Sequence, residues 1–168
     1  MRTCRDAPGF TLIELVMIIS VLAVIAVVVA PKLGNLVGVK ASATARRLQS
    51  DLSYAQNLAM TSNRRHRVVF PSATLYEVRD AAGALATSPY GVGGLAVTTD
   101  AGITLSWALN GDGALNRGVE FDSLGRPYFY SGVTPSITNL AAGTITVTGG
   151  GTTQTVTLSP QTGKVSRP

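Results

Sequence analysis

The chain has 168 residues, a formal net charge of +5, one cysteine (Cys4) and one histidine (His66). That length fits one globular domain besides any membrane segment, and the lone Cys4 and His66 exclude an intrachain disulfide framework and a Cys/His metal constellation. From Asn63 onward eight Lys/Arg stand against six Asp/Glu, too small a surplus for a strong polyanion footprint.

The first element is a short polar head, with Arg2 and Arg5, followed by an apolar run to Pro31. Between Phe10 and Pro31 the only charge is Glu14, and Leu15 to Ala30 holds sixteen residues that are all Leu, Val, Met, Ile or Ala except Ser20. As a helix, residues 10–31 would span ~33 Å, enough to cross a bilayer. No small-x-small cleavage site closes the run, which ends Val-Val-Val-Ala-Pro-Lys, so a retained anchor is expected rather than a secretory signal peptide. Lys32, Lys40, Arg46 and Arg47 follow the run, so counting positive charges does not place the N-terminus in the cytoplasm. An ionised carboxylate inside a membrane helix costs roughly 2.5–3.5 kcal/mol on insertion scales, so Glu14 calls for a partner.

Pro31 removes a backbone donor and kinks a helix, and Gly34 and Gly38 are poor helix residues. A hinge is expected there, or an ordinary helix end and short linker. Residues 41–62 contain no Gly or Pro, and Leu48, Leu52, Ala55 and Ala59 recur on one helical face, widened by Tyr54 and Leu58. Arg46, Arg47, Gln49, Ser50, Ser53 and Asn57 take the other faces, and Arg47 and Asp51 are spaced to pair. Together the two halves would make a helix of ~80 Å from Phe10 to Ser62.

Beyond Ser62 lie fifteen of the eighteen glycines, and strand-like runs alternate with turn signals. Strands are expected near His66–Phe70, Leu75–Asp80, Leu95–Thr99, Ile103–Leu109, Gly118–Asp122, Pro127–Tyr130, Thr144–Thr148 and Thr153–Leu158. The intervening turns are Asp80–Gly83, Asn110–Gly113, Ser123–Arg126 and Gly149–Gly151. The last two strands flank glycines and alternate, the pattern of a hairpin. The fold class is therefore α+β, an N-terminal helix followed by an all-β head.

No constellation of an enzyme is present. His66 lies among Arg64, Arg65 and Arg67 without a nucleophile or carboxylate close in sequence, and is read as a surface residue at a strand start. Asn110-Gly-Asp-Gly-Ala-Leu-Asn116 superficially resembles a calcium loop, but Ala114 stands at the fifth position and no Glu at the twelfth. No metal and no cofactor is expected. The basic residues are the alternative chemistry: Arg64, Arg65 and Arg67 in one cluster, Lys164 and Arg167 in a flexible-looking tail. Such charges can contact phosphates, or can simply be solvated charges at strand ends. They lack stacking aromatics beside them in sequence, so base readout is not supported.

Gly9-Phe-Thr-Leu-Ile-Glu14 followed by an apolar helix closely resembles the prepilin-type (class III) signal of type IV pilins and type II secretion pseudopilins. The resemblance implies cleavage by a prepilin peptidase between Gly9 and Phe10, N-methylation of Phe10, and retention of the apolar helix. Residues 1–9 would be the leader, 10–31 the transmembrane and filament-core helix, 32–62 the hinge and amphipathic helix, and 63–168 the head. Cleavage frees an amine that titrates at about 7.7–8.0, and Phe10 and Glu14 share a helical face. In the family's filaments this Glu neutralises the amine of a neighbouring subunit; the competing reading is a Glu snorkelling at the headgroups.

The blocks Asp51–Met60, Val119–Pro127 and Leu158–Val165 look like the minor pilins and pseudopilins of the GspH/FimT type. That resemblance implies a pilin-like fold, the long helix packed on an antiparallel head of two sheets, and a non-catalytic, single-pass protein of the bacterial inner membrane with its head in the periplasm. Its partners would be other pilin or pseudopilin subunits, the prepilin peptidase, the inner-membrane assembly platform and membrane lipid. The machine would be a type II secretion pseudopilus or a type IV pilus. The alternative is a minor pilin that binds DNA during uptake, as some FimT-like proteins do through basic residues near the C-terminus, which Gly163–Arg167 partly resembles.

Overall fold

The computed structural model describes residues 11–33, 36–91 and 93–167. The chain divides into two compact units, Met1–Leu36 and Val37–Pro168. The first contains helix α1 (Leu12–Leu33), which continues through Pro31. Thr11 caps it: its Oγ1 accepts from the Glu14 N–H at 3.3 Å and its carbonyl from Leu15 N–H at 3.2 Å. Thr11-Leu-Ile-Glu14 has the spacing of a capping box, so Thr11 starts the helix and Glu14 occupies its first turn. No helix among the described residues is long and apolar enough to cross a membrane; the described side chains of α1 end at Val27. The continuity of one helix from Phe10 to Ser62 passes through residues 34 and 35 and lies outside the described residues.

Helix α2 (Leu36–Ser62) opens the path to the head. Its end is set locally. Asn63 takes a left-handed conformation with φ 52°, and Arg64 N–H reaches back to the Ala59 carbonyl at 3.3 Å. This is the αL-plus-backbond geometry with which helices commonly stop.

Nine strands follow among the described residues: β1 (His66–Ser72), β2 (Leu75–Asp80), β3 (Ala96–Thr98), β4 (Ile103–Leu109), β5 (Arg117–Phe121), β6 (Pro127–Tyr130), β7 (Gly143–Gly149), β8 (Thr152–Leu158) and β9 (Val165–Ser166). They form two sheets, ordered β3-β2-β1-β5-β6 and β4-β7-β8-β9, with every pair antiparallel. The architecture is α+β with two antiparallel sheets. The flexible-looking tail holding Lys164 and Arg167 carries a strand: Val165 pairs with Leu158 and Ser166 with Thr157, so β9 closes the second sheet. A two-residue strand carries no periodicity to read.

One core joins α2 to both sheets. The buried face of α2 is Ala41, Ala45, Leu48, Leu52, Ala55 and Ala59, all fully buried. It meets Val68, Phe70, Tyr76, Val78, Val119 and Phe121 from the first sheet and Ile103, Leu105, Ile145, Val147 and Val156 from the second, all in one cluster. Strict alternation in β4 puts Ile103, Leu105, Trp107 and Leu109 inside and leaves Thr104, Ser106 and Ala108 exposed. Phe70 of β1 stacks on Trp107 of β4 at 4.8 Å between ring centroids, tying the sheets' inner faces together.

The β7–β8 turn reaches the start of α2 through missing side chains. A Cβ on Gly150 would lie 2.6 Å from the Gly38 nitrogen, and Gly150 has φ +56°. Small residues let the two backbones touch.

Burial in β1 breaks the alternation. His66 through Phe70 are all buried, including Arg67 and Val69 on the face away from α2. The expectation that His66 is a surface residue is corrected: it is only 8% exposed, with Nδ1 3.2 Å from the Arg64 carbonyl.

Leu52 is fully buried in the middle of the core. Leu52→Ala is expected to lower the unfolding free energy by about 2–5 kcal/mol, measured by denaturant unfolding followed through Trp107, the only tryptophan. A loss under ~1 kcal/mol would show that α2 is not held by this face.

Candidate functional site

Three places in the structure concentrate chemistry. The first is the N-terminal helix. Gly9 and Phe10, the expected cleavage pair, lie outside the described residues. Glu14 is exposed in the first turn of α1, where the positive end of the helix dipole favours a carboxylate. Around it the large apolar side chains from Leu12 to Val27 are between 44% and 81% exposed, an apolar rod that asks for lipid or another helix. Of the hinge residues, Pro31 is inside α1, Gly34 lies outside the described residues, and Gly38 is buried in α2.

The second is the seam between α2 and the head. Gln56 Nε2 donates to the Gly125 carbonyl at 2.9 Å and the Thr162 carbonyl at 2.8 Å. The three blocks that carry the GspH/FimT resemblance, on α2, after β5 and after β8, thus meet at one amide. Asp122 builds the second block. Its Oδ1 accepts from Leu124 N–H and Arg126 N–H, both at 2.9 Å, and its Oδ2 from Arg126 Nε at 2.9 Å. Burial raises the Asp122 carboxyl, but these donors outweigh it and hold the group below the ordinary carboxylate value. The Asn110–Asn116 segment is a turn of the same kind. Asp112 accepts from Ala114 N–H and from Arg117, which lowers its pKa in that order of cause. Among the described residues no cluster of His, Cys, Asp and Glu is placed to hold a metal ion.

On the same seam Asp51 is fully buried. Tyr76 donates to its Oδ2 at 2.7 Å and Tyr90 to its Oδ1 at 3.1 Å, with Arg47 Nε 3.7 Å from Oδ2. Burial, and then the neighbouring Asp51 carboxylate, push the Tyr76 hydroxyl far above its usual range. The sequence shows only the Arg47 spacing. The missed signal is an Asp three residues after Leu48 and four before Ala55, within the apolar stripe.

The third is the outer face of the five-stranded sheet, where the basic cluster of the sequence resides. Register places Arg79, Arg67, Glu120 and Tyr128 in one row across β2, β1, β5 and β6. Glu120, only 1% exposed, accepts from Arg65 Nη1 at 2.8 Å and from Ser136 N–H at 2.9 Å. Arg65 also lies over the Tyr128 ring at 4.9 Å, and Arg67 over Tyr130 at 5.0 Å. Arg79 is taken by Glu77 at 2.6 Å. So Arg65 and Arg67 belong to an internal ion-pair and stacking system, Arg64 and Lys164 are exposed, and Arg167 is 3.5 Å from the Ser42 carbonyl on α2. The structure does not gather these five into one patch: Arg65 and Arg67 sit on this face, and Arg167 at the start of α2. The stacking aromatics absent from the neighbouring sequence come from β6.

The family model described as Type II transport protein GspH matches residues 44–163. The chain belongs to this family. The matched stretch covers α2 from its third turn and nearly all of the head. The minor pseudopilin EpsH from the type 2 secretion system of Vibrio cholerae is similar in fold, with TM-score 0.54 and 15% identity over 77% of this chain and 96% of that one. The type IV minor pilin FimU of Pseudomonas aeruginosa also aligns, with TM-score 0.49 and 15% identity over 76% of this chain and 87% of that one. No curated protein sequence matches this chain. Family and fold are those of a GspH/FimT-like minor pilin, a structural class and not an enzyme class.

The lowered Asp122 pKa sets a pH prediction. A carboxylate depressed in the folded state adds stability that is full above its unfolded value, about 3.9, and is lost as pH falls through the folded value. Asp122→Asn is therefore expected to be less stable than the parent at neutral pH, with the gap closing below about pH 4. Thermal unfolding between neutral and acid pH measures this; a gap that stays constant would refute it.

Proposed function

We propose that this chain is a structural minor pilin or pseudopilin, held in the bacterial inner membrane by residues 10–31 and drawn into a periplasmic filament of a type II secretion or type IV pilus machine. The observation that carries this is a helix whose apolar side chains are 44–81% exposed, on a chain whose head belongs to the GspH family. The prepilin peptidase would cut between Gly9 and Phe10 and leave Phe10 N-methylated. Hinge residues Pro31, Gly34 and Gly38 fall around the division between the two compact units, after Leu36. Other subunits, the assembly platform and lipid are the partners this implies, and no step of catalysis is assigned to the chain.

Glu14 then has two roles to separate. As the residue in a capping box it favours the start of α1 through the dipole, worth about 0.3–1 kcal/mol. As a charge it can pair with the amine that cleavage creates on a neighbour. Glu14→Gln keeps the capping spacing and removes the charge, whereas Glu14→Ala removes both. Both variants are expected to be inserted and cut at Gly9 yet excluded from purified filaments. Incorporation of Glu14→Gln at the parental level would end the charge-pairing reading and leave capping as the role. A large residue at Gly9 is expected to block cleavage, seen as a slower band on a gel.

The DNA-uptake reading has less support, because Arg65 is engaged with Glu120 and Arg67 is buried beside it. It would rest on Arg64, Lys164 and Arg167. It predicts a salt-sensitive gel shift of duplex DNA by the detergent-solubilised chain that Lys164→Ala with Arg167→Ala abolishes. Absence of any shift at low salt removes that reading.

A further inference from the structure

We propose that the cleft on the outer face of the five-stranded sheet is a binding site for a carboxylate, seated on the guanidinium of Arg67. Arg67 is 5% exposed, and its Nε and Nη1 are the buried side-chain nitrogens and oxygens that find no hydrogen-bond acceptor among the described residues. Glu120 Oε2 lies 3.7 Å from Nη1, close enough to balance charge and too far to accept a proton. The other Glu120 oxygen is occupied by Arg65 and Ser136. The neighbouring cation on this face is satisfied: Arg79 by Glu77 and the Gly83 carbonyl. Buried donors are paired in folded proteins as a rule, and one left open marks a site or a strained group.

The space beside it fits a ligand. A cleft of about 370 Å³ is lined by Arg67, Val69, Pro71, Asn116 and Tyr130, with Arg79 and its ion-pair partner Glu77 also on its wall. Gly118 of β5 lies opposite both Val69 and Tyr130 in the register. A Cβ there would come within 2.0 Å of the Val68 carbonyl. With no side chain between them, the Tyr130 ring is free to lean over Arg67, whose guanidinium carbon lies 5.0 Å from the ring centroid. A planar fork of N–H donors selects a planar oxyanion.

Charge selects among oxyanions. Arg65, Arg67 and Arg79 stand against Glu77 and Glu120 on this side of the sheet, three against two. A single negative charge neutralises the surplus, whereas a phosphate dianion would overshoot it beside Glu77 and Glu120. Val69 and Pro71 add an apolar wall for a short stem. A glutamate side chain of another polypeptide and a small free organic acid share this chemistry. Turning the guanidinium toward the cleft breaks no hydrogen bond of Nε or Nη1, since they make none.

The test uses the full chain in non-ionic detergent with 15N-labelled arginine, following the Nε–Hε signals. The Arg67 signal is identified by its loss in Arg67→Lys. Sodium propionate is titrated against sodium chloride and phosphate at matched ionic strength. Propionate is expected to shift the Arg67 signal saturably and chloride is not. Arg67→Lys, which keeps the charge and loses the fork, is expected to weaken binding at least roughly tenfold, followed through the Nε–Hε signal of Arg79 on the same cleft, with unfolding unchanged. A capped peptide with a central Glu, compared with its Gln form, distinguishes the sources: tighter binding than propionate assigns the site to a polypeptide, equal binding to a free acid. Should Arg67→Lys fail to fold, Asn116→Asp at the exposed rim decides, with affinity expected to fall severalfold. A non-saturable shift, a shift equal in chloride, or unchanged affinity in Asn116→Asp overturns the proposal.

Discussion

Everything in the head depends on one face of α2 being buried by two sheets at once. A helix that served a single sheet could use large side chains along its whole stripe. Here the stripe is mostly alanine, with Leu48 and Leu52 filling the centre. Alanine at Ala41, Ala45, Ala55 and Ala59 lets the sheets approach the helix axis at both ends of the stripe, where glycine turns close in. Gly150 meets Gly38 near the start of α2, and Gly125 lies against Gln56 and Met60 near its end. Hydrophobic burial supplies the attraction, and the distribution of volume along the helix decides where each sheet sits.

Polar tethers add direction to that packing. Gln56 holds two turns with one amide, and Asp51 holds Tyr76 of β2 and Tyr90 of the loop before β3. A buried carboxylate with good donors costs desolvation and returns little net stability, but it leaves one arrangement with all partners satisfied. Both tethers join residues far apart in sequence, so they fix the placement of the helix against loops that hydrophobic contact alone would leave free to slide.

The strands and helices were legible because periodicity is local. β2, β4 and β6 lie where alternation and turn residues place them, and α2 stops at Ser62 because Asn63 and the backbone beyond it end it. The family blocks were legible as strings, and the structure adds the reason they go together, since they converge on Gln56. What was not legible depends on the second side of a surface. Arg67 and Val69 occupy outward positions in β1, and a pattern of alternation assigns them to water. They are buried because Tyr130 and the segment carrying Ser136 cover that face, a tertiary fact with no signature in β1 itself. For the same reason the arginines that a charge count offers to a polyanion turn out to be partners of Glu120. Thr11 is the opposite case: its three-residue spacing to Glu14 is local and lies open in the sequence.

The edges of the two sheets have a consequence for how copies of this molecule can meet. Sheet borders are templates for runaway pairing between chains unless they are blunted. Here β3 has three residues and β9 two, too short to seed a ladder. β6 is shielded by the Thr138 and Asn139 backbone, and β4 is engaged by Ala73 and Asp112. The β-rich head is therefore built not to polymerise through its strands. Chance encounters between folded heads find no open ladder to extend, and the exposed apolar side chains of α1 are left as a surface of a different kind, one that associates without strand pairing.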